Sequence, residues 1–324
     1  MRLYAFKKFR LLCRFLLPAA ILFAYGCGDD AKKVVIDFSK AVASEREAER
    51  SSEPPSLRVA VGAMISPQQT VSYYKHLLNY IGKKLGLEVQ LLQRKTYVET
   101  NALFRKGGVD LAFVCSGPYA NEKEKYGFDL LATPQIHGSH SYQSYLIVNR
   151  DSLFHSLKDL KGMIFAFTDP DSNTGRLVPT YWLAEWGVKP ESFFGKTIYT
   201  YSHDNSILAV AKGLVEGAAV NSLIWEYYHN KNPIFTSRTR IIRKSEPYGN
   251  PPLVTSGHLS PGLRGRIREI VLSMHSHPEG RDILKEIMID RFVVPQEVWY
   301  AGIRMMVQEL SAIGGEHAFS KPQK

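Results

Sequence analysis

The chain has 324 residues, 44% of them hydrophobic and 22% charged, which suits one large or two medium domains and excludes disordered, collagen-like or coiled-coil architectures. Its formal charge is +10, but Arg2, Lys7, Lys8, Arg10 and Arg14 supply half of that excess. The remainder is too weakly basic to argue for nucleic acid as a partner. Residues 1–26 read as a secretory signal, a basic run to Arg14 followed by an apolar stretch from Phe15 to Gly26. That stretch is too short to cross a hydrocarbon layer of about 30 Å as a helix.

The apolar stretch ends Ala24-Tyr25-Gly26-Cys27, small residues before a cysteine, which resembles a bacterial lipobox. The resemblance implies acylation of Cys27 and anchoring to a membrane by lipid; an uncleaved signal anchor is the alternative reading. Residues 27–56 are charged and end Pro54-Pro55-Ser56, a tether between anchor and domain. Of the three cysteines only Cys115 falls in the body, so no disulfide or cysteine metal cluster is expected there. Its apolar surroundings predict a buried side chain rather than a nucleophile.

From residue 57 strands and helices alternate. Strands are predicted at 57–61, 87–92 and 110–115, with helices at 70–84 and 97–105 between them. Such alternation implies parallel pairing through crossover helices. The pattern restarts with strands at 142–148, 163–168, 197–201, 218–220 and 241–243, and helices at 177–186, 207–212 and 223–229. After a strand at 253–256 the strands are expected to stop, and the tail reads as helices at 261–274, 279–286 and 295–310. Two alternating blocks and a returning tail predict two α/β lobes, with hinges near Tyr142 and 248–253.

The segment richest in chemistry runs Phe165-Ala-Phe167-Thr168-Asp169-Pro170-Asp171-Ser172-Asn173-Thr174-Gly175, from a buried strand through a polar turn into a helix. A helix start carries unpaired N–H groups and partial positive charge, and Ser172, Asn173 and Thr174 add side-chain donors. Gly175 would let a ligand approach the backbone. Two readings stay open on these residues alone, an oxyanion cradle and an ordinary N-cap. Pro179 leaves the start of the helix unplaced.

The block Asp171-Ser-Asn-Thr-Gly-Arg-Leu-Val-Pro179 resembles the S-[TS]-[ST]-S-G-x-x-x-P signature of the phosphate/phosphite/phosphonate-binding proteins of ABC transporters. The stretch from Tyr201 to Asn221, with His203-Asp204, Ala209-Val210 and Gly213, is similar to the family's G-x-H-[DE]-x-x-x-x-A-V-x-x-G segment. Gly107-Gly-Val-Asp110-Leu-Ala-Phe113 and Gly117-Pro-Tyr119 resemble a third. The resemblance implies a two-lobed periplasmic-binding-protein fold of type 2, each lobe a mixed sheet flanked by helices, with a helical C-terminal tail. Lobe one is expected over 57–145 and 250–324, and lobe two over 146–249.

The same resemblance implies that Ser172, Asn173 and Thr174 hold phosphoryl-type oxygens, that His203 adds a donor, and that Tyr119 closes over the ligand from lobe one. Ser66, Asn221 and Asn250 are further candidates. For His203 a capping or surface role stays open, and for Tyr119 core packing. Where aminophosphonate-binding members place acids, this chain has Asn221-Ser222-Leu223 and Asn250-Pro251-Pro252. Desolvating an ammonium group there without a carboxylate is costly, so the expected ligand lacks an amine: phosphate, phosphite or an alkylphosphonate. Glu226 and Glu246 are the nearest acids that would reverse this.

The expected partners are an ABC transporter permease or, in the alternative, a membrane sensor kinase that reads the ligand state of a monomer. No G-x-S-x-G, P-loop, G-x-G-x-x-G or H-E-x-x-H motif supports an enzyme, and no cofactor is implied. His137/His140 and His275/His277 raise a metal-binding alternative, but without cysteines or an evident carboxylate they read as solvated surface histidines.

Overall fold

A computed structural model describes residues 56–313, so the predicted signal, Cys27 and all but the last residue of the tether lie outside the described residues. Strand β1 (Ser56–Val61) is followed by helix α1 (Pro67–Leu85), which starts on a proline and ends where Gly86 takes a left-handed φ of 69°. Strand β2 (Glu88–Leu92) leads to α2 (Tyr97–Arg105), whose Thr96 and Glu99 close a capping box. With β3 (Leu111–Phe113), these strands pair in parallel about β1. Val59 and Val61 belong to one apolar cluster and Ala60 to another, so both faces of β1 are covered.

The next two elements have no counterpart in the sequence reading: α3 (Ser116–Tyr126) and β4 (Phe128–Gln135). Ser116 to Ala120 are buried while the second half carries Glu122-Lys123-Glu124-Lys125, so no apolar period marks the helix. Short β5 (Ser141–Tyr142) precedes β6 (Ser144–Asn149), β7 (Ile164–Phe167), the turn at 168–177 and helix α4 (Val178–Ala184). Strand β8 (Lys196–Tyr199), α5 (His203–Ala211), β9 (Gly217–Asn221), α6 (Ser222–Lys231) and β10 (Thr239–Lys244) complete the second block. There β7 pairs in parallel with β8 and β9, while β6 runs antiparallel to β9 and β10.

The chain then returns. Strand β11 (Tyr248–Gly249) pairs with β5, and β12 (Leu253–Ser256) enters the first sheet between β3 and β4, antiparallel to both. The tail is not wholly helical as expected. After α7 (Pro261–Ser273) and α8 (Pro278–Glu286) comes β13 (Arg291–Val293), which edges the first sheet beside β4; only Phe292 in it is buried, too little to show as alternation. Helix α9 (Ala301–Ala312) closes the described chain. The result is a six-stranded sheet, β13-β4-β12-β3-β1-β2, and a five-stranded sheet, β10-β6-β9-β7-β8. Two chain crossings, at 136–143 and 245–252, connect them and are pinned by the β5–β11 pair.

Candidate functional site

Strand β7 ends in a turn rich in buried polar residues: Thr168, Asp169, Asp171, Ser172, Asn173 and Thr174 are each 1% exposed or less. Burial at that level requires partners for most polar atoms. Ser172 supplies the N-cap, its Oγ accepting from the Gly175 amide at 3.0 Å. The helix opens with one π turn, Asn173–Leu177, in which the Val178 amide reaches the Asn173 carbonyl. That turn explains Pro179. Its missing N–H leaves carbonyls at 174 and 175 without helical donors; Ser144 Oγ serves Thr174 at 2.7 Å and the Thr168 amide serves Gly175 at 3.3 Å.

Gly175 has a different reason from the one its sequence suggests. A Cβ there would lie 1.6 Å from Thr168 Oγ1, so the glycine makes room for the Thr168 side chain, not for a ligand. Thr174 Oγ1 and Asn173 Oδ1, both buried, have no hydrogen-bond partner among the described residues. The N-cap reading holds for Ser172, and its two neighbours carry buried polar atoms that the cap does not use.

Groups from the first sheet face this turn. The Tyr97 amide, at the start of α2, donates to Asp169 Oδ2 at 3.1 Å, and the Tyr97 phenol lies near Ser172. The Cys115 thiol, at the N-cap of α3, lies beside the Asn173 amide, and burial pushes its pKa up to about 12. Cys115 is thus buried as its apolar run predicts, yet it borders the site. From β5, the Tyr142 hydroxyl accepts from Asn173 Nδ2 at 3.1 Å.

The third wall is the start of α5. Ser202 caps the helix, and the His203 amide donates to the Met64 carbonyl of the β1–α1 loop at 3.0 Å. His203 Nδ1 accepts from the Asn221 amide at 3.1 Å, and burial pulls its pKa down to about 3. The ring is therefore neutral with its proton on Nε2, a donor that asks for no counter-charge. Asp204 Oδ1 accepts from the Ser66 amide at 2.9 Å, so Ser66 joins the two blocks through its backbone. Asn221 caps α6, its Oδ1 accepting from Leu223 at 2.8 Å.

Of the expected site residues, the fold gathers Ser172, Asn173, Thr174, His203, Asn221 and Ser66. Two go elsewhere. The Tyr119 hydroxyl donates to Glu297 at 2.6 Å and its ring packs edge-on against Tyr300, so it fastens α3 to the tail, the packing alternative left open by the sequence. Asn250 Nδ2 donates to the Pro134 carbonyl at 2.8 Å, which ties one chain crossing to the other. Tyr97, Cys115 and Tyr142 border this turn without being among the expected site residues, and Asp169 lies in the polar segment with no role expected of it; the Thr96–Glu99 capping box, which fixes the start of α2, is a signal that could have placed Tyr97. Glu226, the acid that would reverse the amine argument, is engaged by the Tyr145 hydroxyl. His140 is exposed but stacks on Trp299 at 4.0 Å, so it is not free in solvent.

Two α/β sheets joined by paired crossings, with a polar turn from the second facing groups from the first, define a periplasmic-binding-protein fold of type 2. Solved structures agree. A binding protein component of an ABC phosphonate transporter from Pseudomonas aeruginosa superposes with a TM-score of 0.75 at 24% identity, covering 79% of this chain and 87% of that one. PhnD1 from Prochlorococcus marinus in complex with methylphosphonate gives 0.72 at 23%, covering 80% and 99%. In sequence, the "Probable ABC transporter phosphite binding protein PhnD1" of Prochlorococcus marinus is 26% identical over 247 residues, 72% of this chain and 82% of the relative. Residues 59–300 match the family described as ABC transporter, phosphonate, periplasmic substrate-binding protein, and the chain belongs to that family. Its members bind and deliver solutes rather than transform them.

Proposed function

We propose that this protein captures a small, amine-free phosphorus oxyanion (phosphate, phosphite or an alkylphosphonate) outside the cytoplasm and presents it to the permease of an ABC importer. The observation that carries this reading is the pairing of a neutral His203, protonated on Nε2, with a buried turn whose Thr174 hydroxyl lacks a protein partner. Neutral donors and helix-start amides suit an oxyanion. A micromolar dissociation constant corresponds to about −8 kcal/mol, and four to six charge-assisted hydrogen bonds of roughly 1.5–3 kcal/mol each reach it after ordering costs.

Asp169 is, with Asp171, one of the buried acids of the turn that an ammonium group would need to exploit. Both its oxygens already accept amides, from Asp171 and Tyr97, and burial raises its pKa to about 7. A half-neutral, fully engaged carboxyl is a poor counter-ion, which supports the amine-free reading. The blocks 57–145 with 250–324, and 146–249, act in this reading as lobes that open about the two crossings and close on the ligand as a monomer. Cys27 carries the lipid that keeps the protein at the membrane.

Calorimetric titration with phosphite, methylphosphonate and 2-aminoethylphosphonate tests the assignment. The first two are expected to bind at least about tenfold more tightly than the third. Tightest binding of the amine contradicts it.

A further inference from the structure

Asn173 stands where the family signature has serine or threonine, and the exchange alters what the turn offers. A hydroxyl donates or accepts, whereas an amide whose NH2 end is engaged presents only its carbonyl oxygen. Here the Tyr142 phenol engages it, accepting from Asn173 Nδ2 at 3.1 Å. Ser116 lies beside that phenol, its own Oγ donating to the Gly249 carbonyl at 2.7 Å. Asn173 Oδ1 is left buried and without a partner among the described residues. With Nδ2 spent on Tyr142, only this oxygen of the amide remains to meet a ligand.

The surroundings disfavour a second negative charge. Asp169 and Asp171 lie on the turn and both act on Cys115. Glu99 of α2 acts on Asp169, and Glu122 of α3, paired with Lys125, acts on Asp171. From α9, Glu309 accepts from Tyr181. His203 on α5 is neutral, and Tyr97, Tyr142 and Cys115 hold their protons through burial. The guanidinium of Arg176, on the turn itself, lies over the Phe167 ring at 4.9 Å and donates to Tyr199 at 3.0 Å.

We propose that Asn173 Oδ1 accepts the P–O–H hydrogen of the bound ligand, so that the site selects the singly protonated monoanion of a phosphorus oxyanion over its dianion. The inference rests on the ligand class proposed above. A dianion brings only acceptors to Oδ1 and adds charge beside Asp169 and Asp171; a monoanion supplies the missing donor.

The test is calorimetric titration of the full-length protein with methylphosphonate and with phosphite between pH 5.5 and 9. Each dissociation constant should weaken by about tenfold per pH unit above that ligand's own second ionisation, because only the protonated fraction binds. The break should come at lower pH for phosphite, the stronger acid. Tyr142→Phe frees the amide to rotate, so the ratio of dissociation constants at pH 9 and pH 6 should fall toward one. A break at the same pH for both ligands assigns it to a protein group such as Asp169 and overturns the proposal, as does a constant that is flat or tightens with pH, or a Tyr142→Phe ratio equal to wild type. Binding of neither ligand at any pH removes the ligand class itself.

Discussion

The two strand-to-helix junctions β7 into α4 and β3 into α3 differ in place, since β7 lies between two parallel strands while β3 borders the antiparallel β12, and they treat their polar groups in opposite ways. The first buries Thr174 and Asn173 with oxygens that no atom of the described residues satisfies. In the second, the Ser116 hydroxyl donates to Gly249 in the chain crossing, and Cys115 contributes a protonated thiol. The first leaves polar oxygens unengaged while the second ties its hydroxyl into the frame. Both are helix starts, so a helix start alone does not separate them. What distinguishes the first is unsatisfied, buried polarity, enforced by the π turn, Pro179 and the Gly175–Thr168 contact.

Substitutions at the two junctions should therefore separate affinity from stability. The largest effect is expected from Gly175→Ala, whose new methyl would overlap Thr168; unfolding free energy should fall by roughly 3 kcal/mol in chemical denaturation, and methylphosphonate binding should disappear. Replacing Thr168 by glycine in that variant should restore both in part. If Gly175→Ala binds normally, the turn is not as rigid as its packing implies.

A pair of opposed titrations comes next. His203, with its pKa pulled from 6.5 to about 3, removes stability as pH falls below 6.5, because the unfolded chain takes up the proton first. Asp169, raised from 3.8 to about 7, adds stability as pH falls from 7 toward 3.8, because the folded chain takes up the proton first. Each is worth on the order of a few kcal/mol, so wild type should show a shallow profile between pH 4 and 7. His203→Gln should become more stable on acidification, and Asp169→Asn less so, in denaturation curves across that range. Parallel profiles for the two variants would break the assignment.

Smaller effects sharpen the contrast. Thr174→Val keeps the side-chain shape and should weaken methylphosphonate by about 10- to 100-fold with little change in stability, since it removes one partner of a charged ligand. Ser116→Ala should do the reverse, costing about 1 kcal/mol of stability and only a few-fold in affinity. Tyr119→Phe, which loses the bond to Glu297, should cost about 1 kcal/mol or less and leave calorimetric affinity unchanged.

How much of this was legible in the chain depended on range. Strand β1 and helix α2 were readable because a short β-branched run and the strand–helix alternation around it are local signals. Helix α3 and strand β13 were not, because Tyr119 is buried by the distant Tyr300 and β13 exists only by pairing with β4. The same division holds at the site. Ser172, Asn173 and Thr174 announce themselves in one segment, and His203 in another. Tyr97, Cys115 and Tyr142 reach the turn only through tertiary folding, and nothing near them in sequence says so. Tyr119 and Asn250, expected at the site from the family resemblance, use their side chains to fasten the tail and the crossings, and those partners are equally distant in sequence.

A crystal structure of the protein grown with methylphosphonate tests the central claim most directly. The account predicts phosphonate oxygens within about 3 Å of Thr174 Oγ1 and His203 Nε2, with the ligand between the turn and the Tyr97–Cys115 wall. Density for the ligand elsewhere, with Thr174 and His203 touching only protein or water, would contradict it.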